Sequence, residues 1–186
     1  SLIHFFVYSN IWVALCVLAL SISSEILLEA NNFKISQFGF LSTIFAYNFQ
    51  RLARLKKGHD HPYKDWIENN IKAIYLLMFL VGSLGGYIFL DFKLNTQIAI
   101  LIIGIISACY PFGIRKIPFA KIFIISFVWT VTAIVLLLLE NSIPISQNII
   151  FHLIARFLFV FAITIPFDIR DLKYDAQNLR TIPLFF

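Results

Sequence analysis

Acid is scarce in this chain. Ten Asp and Glu stand against fifteen Lys and Arg, and only 13% of the 186 residues carry a charge. Set beside twenty-one Phe, that is too little polar material to cover a water-soluble surface, which excludes a soluble globular domain. Cysteine is nearly absent. Cys16 and Cys109 both sit in apolar runs with no ligand spacing, so they read as packing residues and neither a disulfide framework nor a thiolate metal site is indicated. The strict apolar/polar alternation that a lipid-facing barrel requires is missing as well. The net charge of +5 does not mark a nucleic-acid binder, because the basic residues fall into loops between apolar segments.

What the chain does have is apolar length. Hydrophobic residues make up 60% of it and the mean hydropathy is +0.84, the composition of an integral membrane protein. A helix needs about 20 apolar residues to cross a bilayer. Six stretches are candidates: Leu2–Ile22, Ile35–Leu52, Ile71–Leu90, Thr96–Phe112, Ile117–Leu139 and Ile145–Phe167. The second carries Asn48, Gln50 and Arg51 near its end, and the fourth is short. The first lacks a basic leader and is too long for a signal peptide, so it reads as a mature span. The expected architecture is all-α: a multi-pass transmembrane bundle of about six spans, forming a single membrane domain over residues 1–186. The start at Ser1 and the stop at Phe186 read as truncation at both ends.

Orientation follows from Lys and Arg. The connections after the second, fourth and sixth spans, with their flanks, hold Arg51, Arg54, Lys56, Lys57, Lys64, Lys72, Arg115, Lys116, Lys121, Arg170, Lys173 and Arg180. The opposite connections hold only Lys34 and Lys93. Twelve against two places the N-terminus and the basic loops on the cytoplasmic face.

One stretch breaks the scarcity of charge. "FDIRDLKYD", Phe167–Asp175, carries three carboxylates at the exit of the sixth span. If the helix continues, Asp168, Asp171 and Asp175 fall within an arc of about 60°. Carboxylates on one stripe repel unless a cation sits among them, and Mg²⁺ commonly bridges one or two carboxylates to a substrate phosphate. Arg170 and Arg180 suit the phosphate oxygens. On spacing alone, the stripe reads equally as a solvated amphipathic turn at the interface. Inside the sixth span, His152 and Arg156 share a face, as a polar bridge within the bundle would require. The glycines of "VGSLGGY" and the small residues of "GFLSTIFA" read as helix-packing faces. "GHDHPYKD" offers His59, Asp60, His61 and Asp65, but a His-x-His pair without a third ligand at helical spacing reads as a solvated loop.

"DIRDLKYDAQNLRTIP" (Asp168–Pro183) resembles the second aspartate-rich motif of the UbiA-type membrane prenyltransferases; Arg170, Asp171, Asp175, Arg180 and Thr181 match it. "CYPFGIRKIPFAK" (Cys109–Lys121) is similar to that family's basic loop after the fourth helix, through Tyr110, Arg115 and Lys116. The first family motif, Asn-Asp-x-x-Asp-x-x-x-Asp, keeps only its leading Asn48; Phe49, Leu52 and Lys56 stand where Asp is expected.

The resemblance implies two-thirds of a nine-helix fold and transfer of an isoprenyl group from an allylic diphosphate to an aromatic or hydrophobic lipid acceptor. It implies catalysis by Asp171 and Asp175, and Mg²⁺ on Asp168, Asp171 and Asp175. Diphosphate contacts would come from Asn48, Arg51, Tyr110, Arg115, Lys116, Arg170 and Arg180. Arg51 then stands where a second ion would be, since its planar fork matches phosphate oxygens. Two other readings stay open: a catalytically impaired relative that binds isoprenoid diphosphate lipids, and a non-enzymatic membrane protein.

Overall fold

A computed structural model describes residues 2–30, 32–56, 63–110 and 120–175, with the side chains of residues 2, 120, 168 and 170–175 outside that description. Every regular element among the described residues is helical. They are α1 (Leu2–Tyr8), α2 (Ile11–Leu27), α3 (Lys34–Lys56), α4 (Lys64–Asn69), α5 (Ile71–Leu90), α6 (Leu94–Cys109), α7 (Ala120–Thr130), a π-helical turn (Val131–Val135), α8 (Leu136–Asn141) and α9 (Gln147–Asp175).

Three helical stretches are both long and apolar enough to cross a membrane: Ile71–Leu90, Lys121–Asn141 and Gln147–Phe167. The other three expected spans differ for separate reasons. Leu2–Ile22 is not one helix but two, because Asn10 turns left-handed at φ 65° and the chain restarts as α2. A short polar side chain is one of the few that tolerates that conformation. α6 is apolar but has only 16 residues. α3 has 23 residues, ample length, but its polar C-terminal third lowers its hydropathy.

Between helices that cross a bilayer, close packing and polar ties hold a bundle together more than burial of apolar surface does, since lipid tails are as apolar as Leu. α3 is the hub, with α2 along one flank, α5 along another, and the π turn and α6 against it. Gly39 sets the closest approach. A Cβ there would lie 3.2 Å from Thr132 Cγ2 and 3.7 Å from Ser21 Oγ, so its missing side chain lets three elements meet. Gly82 and Gly85 of α5 face α3 through Phe45 and Leu41, as packing glycines should, whereas Gly86 faces open space. The tightest apolar core forms where Ile35 and Phe38 meet Phe92, Ile103, Val131, Leu136 and Leu137. Cys16 and Cys109 are free and exposed on the outside of the bundle, so they do not pack inside it as expected.

Helix ends close without glycine. Glu29 and Ser142 take left-handed conformations, and the amides of Ala30 and Ile143 return to the carbonyls of Glu25 (2.9 Å) and Leu138 (3.0 Å). Those closures satisfy carbonyls that a helix end would otherwise leave unpaired. α9 continues through Pro166 to Asp175.

Candidate functional site

The break between α1 and α2 organises one end of the bundle. Asn10 and Asn48 are 3% and 1% exposed, and the Asn10 amide donates to Asn48 Oδ1 at 3.1 Å. Asn48 Nδ2 donates to the carbonyls of Ser9 and Ile44, each at 2.8 Å. Arg51, one turn further along α3, donates through Nη2 to Asn10 Oδ1 at 2.6 Å and through Nη1 to the Tyr8 carbonyl. The carbonyls freed where α1 stops are therefore taken up by α3. Aromatic rings extend the contact to α4. Tyr8 stacks on Tyr63 with centroids 4.0 Å apart and meets Trp66 edge-on at 5.2 Å.

Two of the predicted diphosphate ligands, Asn48 and Arg51, thus stand together, and their described hydrogen bonds rivet the chain break. The position the family motif gives to a second aspartate is Leu52, buried against Ile67, Ile74 and Met78. Tyr110 caps α6 and is 8% exposed. Gln50 ties α3 to α6 beside it, donating to the Ser107 carbonyl at 2.9 Å. Arg115, Lys116 and Arg180 lie outside the described residues, as do His59, Asp60 and His61. For Asp168, Arg170, Asp171 and Asp175 the helical backbone is described and the side chains are not. Among the described residues no cluster of three His, Cys, Asp or Glu side chains is placed to hold a metal.

The end of the bundle that α9 reaches follows from packing. α9 lies along α7, with the Phe123 ring 5.3 Å from Phe161 and 6.5 Å from Phe157. α7 meets α3 where Trp129 Nε1 donates to Tyr47 Oη at 3.1 Å. Chain direction reverses from α3 to α7 and again to α9, so α9 ends on the side where α3 ends. The aspartate-bearing turns share the end of the bundle that carries Asn48, Arg51 and Tyr110. Further from that end, Arg156 donates to Ser24 Oγ at 3.1 Å and Ser23 Oγ at 3.4 Å, bridging α9 to α2; His152 Nε2 is buried and finds no partner among the described residues.

Sequence reasoning overlooked two features. Asn10 carried a visible signal, because a Ser-Asn pair inside an apolar run marks a turn. The second is an apolar cavity of about 620 Å³ whose walls come from α2, α3, α5, α6, α7 and the π turn, with the Tyr47–Trp129 pair among its few polar features. No local pattern announces it, since six separate elements build it. The chain matches no protein-family model, no curated protein and no solved structure.

Proposed function

We propose that the protein is a UbiA-like membrane prenyltransferase, its six apolar segments spanning the bilayer as the first part of a nine-helix fold, with the aspartate stripe and basic loops on the cytoplasmic face. One observation carries the reading. α9 stays helical through Asp175, which meets the condition for Asp168, Asp171 and Asp175 to share one helical face, and this face emerges at the end of the bundle where Asn48, Arg51 and Tyr110 stand.

Three carboxylates at i, i+3 and i+7 are a hard-oxygen donor set of the kind Mg²⁺ takes. Asp168, Asp171 and Asp175 would hold it, and when bound it neutralises charge on the departing diphosphate. Arg170, Arg180, Arg115 and Lys116 would take the phosphate oxygens, and Asn48 and Arg51 would close the site from α3. The allylic C–O bond breaks with its electron pair going to the diphosphate. The acceptor then bonds to the allylic carbon and gives up a proton. Fixed cations aimed at the developing charge are the main catalytic demand. A membrane location lets the prenyl tail stay in lipid throughout.

A second reading is favoured by Leu52. A buried leucine at a position where the family carries a metal-binding aspartate suits a relative that binds isoprenoid diphosphate lipids without turning them over. Pyrophosphate release from farnesyl diphosphate by the purified full-length protein separates the two. Prenyl transfer predicts Mg²⁺-dependent release with an aromatic acceptor, falling at least a hundredfold in Asp171→Ala or Asp175→Ala. Binding of the diphosphate with no release selects the second reading.

A further inference from the structure

The cavity has a mouth, a chemical character and a polar handle. Its lining includes no Asp, Glu, Lys, Arg or His side chain among the described residues. Transfer of a charged group into such surroundings is costly, so the occupant is uncharged. A volume of about 620 Å³ is within the range of small-molecule sites.

The mouth is found by asking which lining residues are also exposed. They are Gly86 on α5, Leu101, Gly104 and Ile105 on α6, and Phe45 at the edge of α3. α5 and α6 are joined by the short turn at 91–93, yet α5 packs on α3 while α6 packs on α8 and α3. A Cβ on Gly86 or on Gly104 would meet no atom within 4 Å. The opening therefore lies between these two helices, between their ends, where a bundle in a bilayer meets acyl chains and not water.

The handle is Tyr47. The Ser42, Thr43 and Thr132 hydroxyls donate to backbone carbonyls three or four residues back in their own helices. Gln50 is spent on the Ser107 carbonyl. Trp129 donates its indole N–H to Tyr47 Oη, fixing the phenol but using only its acceptor side. Among the described residues the Tyr47 O–H donates to nothing, in a cavity wall where an unmade hydrogen bond is expensive.

We propose that this cavity binds an uncharged, lipid-dissolved molecule carrying a hydrogen-bond-accepting oxygen, admitted from the bilayer between Gly86 and Gly104 and held by the Tyr47 hydroxyl. Tyr110 both lines the cavity and stands at the end where the aspartate stripe emerges, but binding here needs neither Mg²⁺ nor turnover, so it stands or falls apart from prenyl transfer.

Trp129 supplies the readout. In the full-length protein with every tryptophan except Trp129 replaced by phenylalanine, Trp12 and Trp66 among them, decylubiquinone quenches the cavity indole saturably. Farnesol competes, and farnesane, which has the chain without the oxygen, competes at least fivefold more weakly. Tyr47→Phe raises the Kd for decylubiquinone about fivefold, the loss of one hydrogen bond. Gly86→Phe combined with Gly104→Phe raises it at least tenfold while the melting temperature holds, because a Cβ at either position meets nothing within 4 Å. Quenching that never saturates overturns the site. Unchanged affinity in the double phenylalanine variant overturns the entrance, and unchanged affinity in Tyr47→Phe with equal competition by farnesane overturns the role of the oxygen.

Discussion

Two polar clusters at opposite ends of the bundle are held in opposite ways. At the end where α3 finishes, Asn10, Asn48 and Arg51 knit three helices through hydrogen bonds in nearly dry surroundings. At the other end, Lys34 pairs with Asp91, and Lys93 reaches Ser142 at 2.8 Å, all on exposed side chains. The residue types are similar and the settings are not. A buried polar group that loses its partner keeps the whole cost of having left water, whereas an exposed one takes a water in exchange. Stability should therefore track burial here and not the number of charges.

The sharpest way to break this contrast is Asn48→Leu, which keeps the size and removes every hydrogen bond. It strands the Ser9 carbonyl and the Asn10 amide, and should cost about 3 kcal/mol, read as a lowered unfolding midpoint in detergent. A midpoint as insensitive as that of Lys34→Ala would remove burial as the explanation.

Arg51→Ala comes next, at about 1–3 kcal/mol for the hydrogen bonds to Tyr8 and Asn10. The same variant sharpens the functional reading. If Arg51 also grips diphosphate, the requirement for prenyl diphosphate rises severalfold more than that for Mg²⁺; if it is only a rivet, stability falls and diphosphate affinity does not.

Gly39→Ala should cost about 1–2 kcal/mol, because the new methyl meets Thr132 Cγ2 at 3.2 Å in a packed seam. Gly86→Ala, facing open space, should be neutral or slightly stabilising through helix propensity. The pair is measured by thermal unfolding side by side, and equal losses would contradict the packing described.

The smallest effect belongs to Lys34, at the start of α3 outside its apolar run. Its hydrogen bond to Asp91, and then the charge of that carboxylate, hold the ammonium above the ordinary lysine value of 10.5. A raised pKa contributes stability that is complete below 10.5 and fades as pH climbs through the higher folded value. Both side chains are exposed, so the change is slight and shrinks in salt. A titration of the melting temperature in alkali, compared with Asp91→Asn, should show a small decline that the variant lacks.

Much of the architecture was legible because helix formation in lipid is a local matter. Ile71–Leu90 appears with the boundaries its apolar run implies, and α9 carries the aspartate spacing on past Phe167 as a helix. The Arg156 bridge was foreseen from the rule that an ionisable group in a span turns inward. The misses share a cause. Cys16 and Cys109 were read by the apolarity of their neighbours, which cannot tell a lipid-facing side from a packed one. Asn10 was hidden by averaging hydropathy over the run that contains it.

By itself, then, the order of amino acids settled that the chain is helical and carries apolar runs long enough to cross a membrane, since each depends on windows of a single turn or a single span. Only the tertiary structure decided that Asn48 reaches back to Ser9, that Gly39 rather than Gly86 is pressed against a neighbour, and that Tyr47 meets Trp129 beside an open cavity. Those pairings join residues tens of positions apart. Where nearly every face is apolar, hydrophobicity alone does not select which face meets which, so shape and a few hydrogen bonds must choose.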